Sequence, residues 1–235
     1  ISLGRYTDAY DALTRAHNLL PSHAITQIAT VLLSLGKLYH RQGRLDESLA
    51  YHKRAYHMAS RTQELELIGQ VLVNLGKVEV EQGNFAEALR RYDEALRIYR
   101  SLRLVSEQAN TLAQIGIIQL TTLNYGKAYE YFSDADYLNT TVGYANALVQ
   151  GYRAFTLIML GRQTQGKGLL LDAMESVPRD IDMQHRLQLT HIAGSVILED
   201  FAQARDQALS FVQLDGVNPI IRTRAYLWLG LASHH

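Results

Sequence analysis

Apolar residues recur along this chain at spacings of three and four, the period of helices with one buried face. Leu72, Leu75, Gly76 and Val80 form one such stripe. Phe85, Ala88, Leu89, Tyr92, Ala95 and Leu96 form the next. Gln82-Gly83-Asn84 separates them, with Gly where a helix end turns left-handed. The same alternation predicts helices over 5–20, 23–42, 45–61, 63–82, 85–102, 105–122, 125–141, 143–160, 163–177, 181–198, 201–214 and 218–233. The prolines Pro21, Pro178 and Pro219 fall between helical patterns, as a residue without an N–H should.

The stripes repeat. LLSLGKLYHRQGRLDESLAYHKRA at 32–55 aligns with LVNLGKVEVEQGNFAEALRRYDEA at 72–95, an offset of 40. LAQIGIIQLTTLNYGKAYEYFSDA at 112–135 follows at the same offset of 40. A small residue opens every second helix, at Ala9, Ser48, Ala88, Ala128, Gly166 and Ala204. Gly36, Gly76 and Gly116 let the two helices of a unit approach, and Tyr92 and Phe132 fill the space left. A lone pair of helices cannot bury its apolar face, so such pairs stack into a solenoid.

The spacing Leu75-Gly76, Gly83, Phe85, Ala88, Tyr92, Ala95 resembles a tetratricopeptide repeat (TPR), in a long-helix variant of about forty residues per repeat. The resemblance covers nearly the whole chain, most strongly residues 25–140. It implies an all-α, right-handed superhelical solenoid of stacked antiparallel helix pairs, about five and a half repeats, with a concave face lined by first helices. It implies a non-catalytic protein–protein interaction scaffold that binds a peptide or helix there. The chain is also similar to the helical-repeat region of MalT-like transcriptional activators, which implies the alternative of an effector-sensing or oligomerisation segment in signalling. Residues 1–235 are expected to form a single solenoid domain. Opening on a second helix and closing on a first, the chain is expected to be a piece of a longer protein, with self-association open to its uncapped ends.

Composition narrows the partners. Lys plus Arg number 23 and Asp plus Glu 23, a zero net charge that argues against direct nucleic-acid contact. No cysteine is present, which excludes disulfides and thiolate metal sites and suits a cytoplasmic protein. No apolar run approaches the ~18 residues a membrane span requires, and no signal peptide is visible. His234-His235 are either native or a tag remnant.

Candidate chemistry is mostly absorbed by the repeat. GRQTQGKG at Gly161–Gly168 has most of a phosphate-binding loop, but Gly168 stands where a magnesium-binding Ser or Thr belongs. A helix is predicted before it, not a strand. Gly161 and Gly166 take the repeat positions of Gly83 and Ala88. His52 and His57, and His185 and His191, lack ligand spacing, so packing or surface roles are expected and no metal or cofactor is implied. Asp93-Glu94 and Asp134-x-Asp136 are expected to face solvent, and no catalytic residue set is visible. Asn139-Thr140-Thr141 is a sequon without a secretory context. Tyr92, Tyr125 and Tyr129 fall at core spacing.

The predicted partner-binding face draws on three first helices. Thr30, Leu33, Lys37, His40 and Arg41 come from the first. Gln70, Val73, Lys77 and Glu81 come from the second, and Asn110, Ala113, Ile117 and Leu120 from the third. Lys37 and Lys77 occupy one repeat position and, with His40 and Arg41, predict a basic patch for an acidic protein or peptide group. A Lys four residues before an Asn, as in family members that clamp a C-terminal carboxylate, is not reproduced at Leu33 and Lys37. Farther along, Phe155, Ile158, Met159, Val196 and Ile197 predict an apolar stretch that either holds a peptide or is buried.

Overall fold

The computed structural model describes residues 3–175, 181–217 and 219–233. They form twelve helices: α1 (Leu3–Leu19), α2 (Ile25–Arg41), α3 (Leu45–Ala59), α4 (Leu65–Glu81), α5 (Phe85–Ser101), α6 (Val105–Thr121), α7 (Tyr125–Thr141), α8 (Ala147–Met159), α9 (Gln163–Glu175), α10 (Ile181–Ile197), α11 (Phe201–Val212) and α12 (Pro219–Ser233). Among the described residues there is no strand. The expected ends at 176–177, Pro178, residue 218 and His234-His235 lie outside the described residues. The other helix ends agree with the sequence periodicity to within two residues, apart from the start of α8.

That start lies at Ala147, four residues after the expected 143. Gly143 takes φ 71, its N–H bonding Thr140 O at 3.0 Å while the Tyr144 N–H returns to Asn139 O at 2.9 Å. This is how a left-handed residue closes a helix. Asn146 then caps α8, its side chain accepting the Val149 N–H at 3.2 Å.

The chain divides into two compact units, residues 1–114 and 115–235, and the division falls inside α6. In unit 1 the core runs through Ile28, Leu32, Leu33, Ala55, Val71 and Leu75, all nearly sealed from solvent. Each large aliphatic chain removed from water there contributes about 1.5–3 kcal/mol. The glycines set how closely the helices approach. A Cβ placed on Gly76 would lie 2.5 Å from Cε1 of Tyr92, and one on Gly36 2.5 Å from Nδ1 of His52. Ser48 adds a buried hydrogen bond, its Oγ donating to Gly36 O at 2.8 Å.

Unit 2 uses the same device. A Cβ on Gly116 would sit 2.8 Å from Cε1 of Phe132. Its core gathers Ala147, Ala154, Ile158, Leu170, Ala173 and Leu187, then Ile192, Ala208, Phe211, Val217, Ile221 and Ala225. Gly166 belongs to this packing: a Cβ there would meet Ala154 O at 2.7 Å and Ile158 N at 3.0 Å. Gly161 holds φ 80 in the turn after α8, matching Gly83 at φ 80. The GRQTQGKG stretch is therefore a helix–turn–helix junction of the repeat.

Leu123 fills the equivalent turn with φ 61 and is 69% exposed. A branched side chain in this region costs about 1–2 kcal/mol, against about 0.5–1 kcal/mol of unfolded-chain entropy for glycine. Leu123→Gly should therefore raise stability by about 0.5–1 kcal/mol, read as a higher urea midpoint at unchanged slope. A midpoint that stays put or falls would show that the turn carries no strain.

Candidate functional site: the first-helix faces

In unit 1 the predicted face separates into exposed and buried halves. Thr30, Lys37, Arg41 and Asn110 are exposed, and Gln70 and Lys77 are half-buried. Leu33 and Val73 are only 2% and 8% exposed, and Ala113 6%. These three pack into neighbouring helices and present nothing to a ligand. A first helix packs against its own second helix and against the adjacent pair, so its buried apolar stripe takes in part of the face expected to meet a partner.

An unexpected pairing reshapes the basic patch. His40 Nε2 lies 3.1 Å from Glu81 Oε2, joining the C-terminal turns of α2 and α4. Glu81 thereby offsets positive charge in the groove, which leaves Lys37, Arg41 and Lys77 as its cationic components. Partial burial, and then the Arg41 guanidinium, pull the Lys37 ammonium below its ordinary range. Thr30 and Gln70 bond within their own helices, Thr30 Oγ1 to Thr26 O at 2.9 Å and Gln70 Nε2 to Glu66 Oε1 at 3.2 Å.

Behind these cations lies His52 on α3, 1% exposed, in the slot that Tyr92 and Phe132 fill in the next two repeats. Burial drives its pKa down to about 3, with His40, Lys37 and Lys77 adding to the effect. Another repeat position varies similarly. Tyr39 stacks on Tyr51 with ring centroids 5.2 Å apart, while forty residues on the pair becomes Glu79 and Arg91, at 3.8 Å. Burial raises the Glu79 pKa against the opposing pull of Arg91 and Lys53.

In unit 2, Ile117 is half-buried, and Leu120 lines a cleft of ≈ 140 Å³ with Tyr152, Phe155, Arg186, Arg224 and Trp228. The side chains come from α6, α8, α10 and α12, the first helices of successive pairs. Phe132 stacks on Tyr152 at 5.4 Å between centroids, which anchors one wall to the core. Of the apolar stretch expected here, Phe155 lines the cleft, whereas Ile158 is 3% exposed and belongs to the core under Gly166. Met159, Val196 and Ile197 are half-buried.

Sequence reasoning missed Tyr152, Arg186, Arg224 and Trp228, because the forty-residue register blurs after residue 140. It also misplaced Asp136, which is 9% exposed and ion-paired with Arg153 of α8. A buried carboxylate needs such a partner; the signal available was an arginine one helix on. Asp134 does face solvent. Among the described residues, no group of three or more His, Asp or Glu could hold a metal ion. No described helix is long and apolar enough to cross a membrane.

Comparison with known proteins places this geometry. Residues 27–101 and 67–135 match a tetratricopeptide repeat family model. No curated protein matches by sequence. Among solved structures, NprR in complex with its cognate peptide NprX is similar with a TM-score of 0.76 at 17% identity, over 98% of this chain and 68% of that one. A Rap protein complexed with competence and sporulation factor gives 0.66 at 15% identity, over 89% and 64%. Aspartyl phosphate phosphatase F from Bacillus subtilis gives 0.68 at 16%, over 90% and 55%. The chain thus spans roughly half to two thirds of the length of these structures. It has a tetratricopeptide-like helical-repeat fold, and the match to the tetratricopeptide repeat model runs through residues 27–135.

Proposed function

We propose that this chain is a non-catalytic cytoplasmic scaffold whose first-helix faces bind a peptide or helix of a partner protein. In unit 2, Arg186 and Arg224 meet acidic groups of a segment held in that cleft, and Lys37, Arg41 and Lys77 give unit 1 a cationic face of its own for an acidic segment. The observation that carries this reading is the unit 2 cleft, where four first helices converge on aromatic surfaces and two guanidiniums. Rigid aromatic walls offer contact area at low entropic cost, and arginine recognises carboxylates in a planar fork. Two neighbours of the same fold are described with a bound peptide or factor, which supports the reading. One neighbour is named as a phosphatase. The described residues of this cleft are aliphatic, aromatic, hydroxyl and guanidinium groups, without a carboxylate or imidazole to move a proton.

An immobilised array of peptides about ten residues long, varying acidic and aromatic content, tests the proposal. Acidic peptides with an aromatic anchor should bind best. The Arg224→Glu chain should bind peptides of the unit 2 cleft at least tenfold more weakly, about 1.4 kcal/mol, and the Lys37→Glu/Lys77→Glu chain should show the same loss for peptides held by unit 1. Affinity unchanged by either reversal, or no preference for acidic over neutral peptides, would remove the groove from consideration.

The alternative is an effector-sensing or oligomerisation segment of a larger MalT-like regulator. It uses the same fold and differs in the molecule bound.

A further inference from the structure

The second helices α9 and α11 run for 13 and 12 residues, against 17 for α5 and α7. The described part of α9 ends at Glu175, while α10 between the two runs for 17 residues. A cleft of ≈ 440 Å³ is lined from α9, α10 and α11. It is three times the size of the first-helix cleft of unit 2 and falls in the volume range of small-molecule sites, about 300–1,000 Å³. The two clefts use opposite faces of α10. At 100° per residue, Gln188, His191 and Ile192 point away from Leu189, Thr190 and Ala193.

The chemistry of the wall narrows the ligand. Ile192, Phe211 and Met174 supply an apolar surface, and the first two are only 2% and 3% exposed. His191 is half-buried, and burial pulls it below its ordinary pKa against the contact from Gln207, so it stands neutral. The Asp206 carboxylate at the edge has Arg205 Nε at 3.8 Å, which offsets its charge. Among the described lining residues Asp206 is the one charged side chain, and it stands at the exposed edge rather than in the apolar interior. Gln207 reaches His191, yet its Oε1 is buried without a hydrogen-bond partner of good geometry. A buried acceptor left so costs about 1–3 kcal/mol, and a donor arriving with a ligand would recover it.

We propose that the cleft between α9, α10 and α11 is a binding site for a small neutral amphiphile, an apolar or aromatic body carrying an N–H or O–H donor directed at Gln207. The site stands on unit 2 alone and needs no peptide in the first-helix groove. The probe is dansylamide, a neutral naphthalene sulfonamide whose emission brightens and shifts to the blue in apolar surroundings. Titrated with the whole chain, it should give a saturable one-to-one curve. Ser210 lies exposed on the cleft wall, and Ser210→Trp fills the space from outside, so affinity should fall at least tenfold with the helical circular dichroism unchanged. Gln207→Leu keeps the volume and removes the acceptor, and should weaken binding about fivefold or more. A non-saturable signal, or equal affinity in Ser210→Trp, overturns the site. A loss in Ser210→Trp with full affinity in Gln207→Leu overturns the ligand class.

Discussion

Tyr92→Ala should destabilise the chain by about 3–5 kcal/mol, the range for emptying a large aromatic slot in a core that collapses poorly. Tyr92 is fully buried, and its ring lies against the bare backbone of Gly76. The two residues form one structural unit. Gly76→Ala alone sets a Cβ 2.5 Å from Cε1 and 2.8 Å from Cζ of the ring, so the ring or the helix must move, at about 1–3 kcal/mol. In the Tyr92→Ala background the obstacle is gone. The same Gly76→Ala change should then be neutral or gain up to about 1 kcal/mol, since alanine is the better helix former. Urea unfolding of the four chains measures the coupling, expected at about 2 kcal/mol or more. Gly76→Ala costing the same in both backgrounds would mean that the glycine does not serve the ring.

That coupling is what made the fold legible. Gly36, Gly76 and Gly116, each followed sixteen residues later by His52, Tyr92 or Phe132, record a contact between two helices as a spacing in the chain. Because each pair touches only its neighbours, local spacing carries nearly all the topology. The start of α8 was less legible. A left-handed Gly143 can close a helix or open the next, and only the Asn146 cap decides which.

The candidate site was legible in part, for the same physical reason. Lys37 and Arg41 are exposed where the register places them, because one repeat position fixes one direction. Leu33 and Val73 share that register, yet their burial depends on how near the adjacent pair lies, a distance no spacing encodes. Arg224 and Trp228 lie more than a hundred residues from Leu120 in the chain and meet it through several successive packings. Small rotations accumulated over those packings decide which side chains converge. His40 and Glu81 show the shorter-range version: two helices of opposite charge pattern whose C-terminal turns happen to meet.

His52→Phe should free the chain from a loss of stability in mild acid. The imidazole occupies an aromatic slot, 1% exposed, with its Nδ1 buried and lacking a hydrogen-bond partner. Lys37 and His40 from α2 and Lys77 from α4 all repel a proton, and the nearby Glu81 carboxylate is engaged with His40. Its folded pKa of about 3 lies below the ordinary 6.5, so between these values the unfolded chain binds a proton that the folded chain refuses. Stability is therefore complete above pH 6.5 and falls as pH drops toward 3, by about 1.4 kcal/mol per pH unit. At about pH 4.5 the wild-type chain should have lost about 2–3 kcal/mol relative to His52→Phe, while at pH 7.5 the two should agree to within about 1 kcal/mol. Comparing the two chains cancels the titration of every other histidine and carboxylate. Urea midpoints taken at pH 7.5, 6.0 and 4.5 would report the difference. Midpoints that fall in parallel would show that His52 takes up its proton as readily in the folded chain as in the unfolded one, and that its burial does not govern the acid sensitivity.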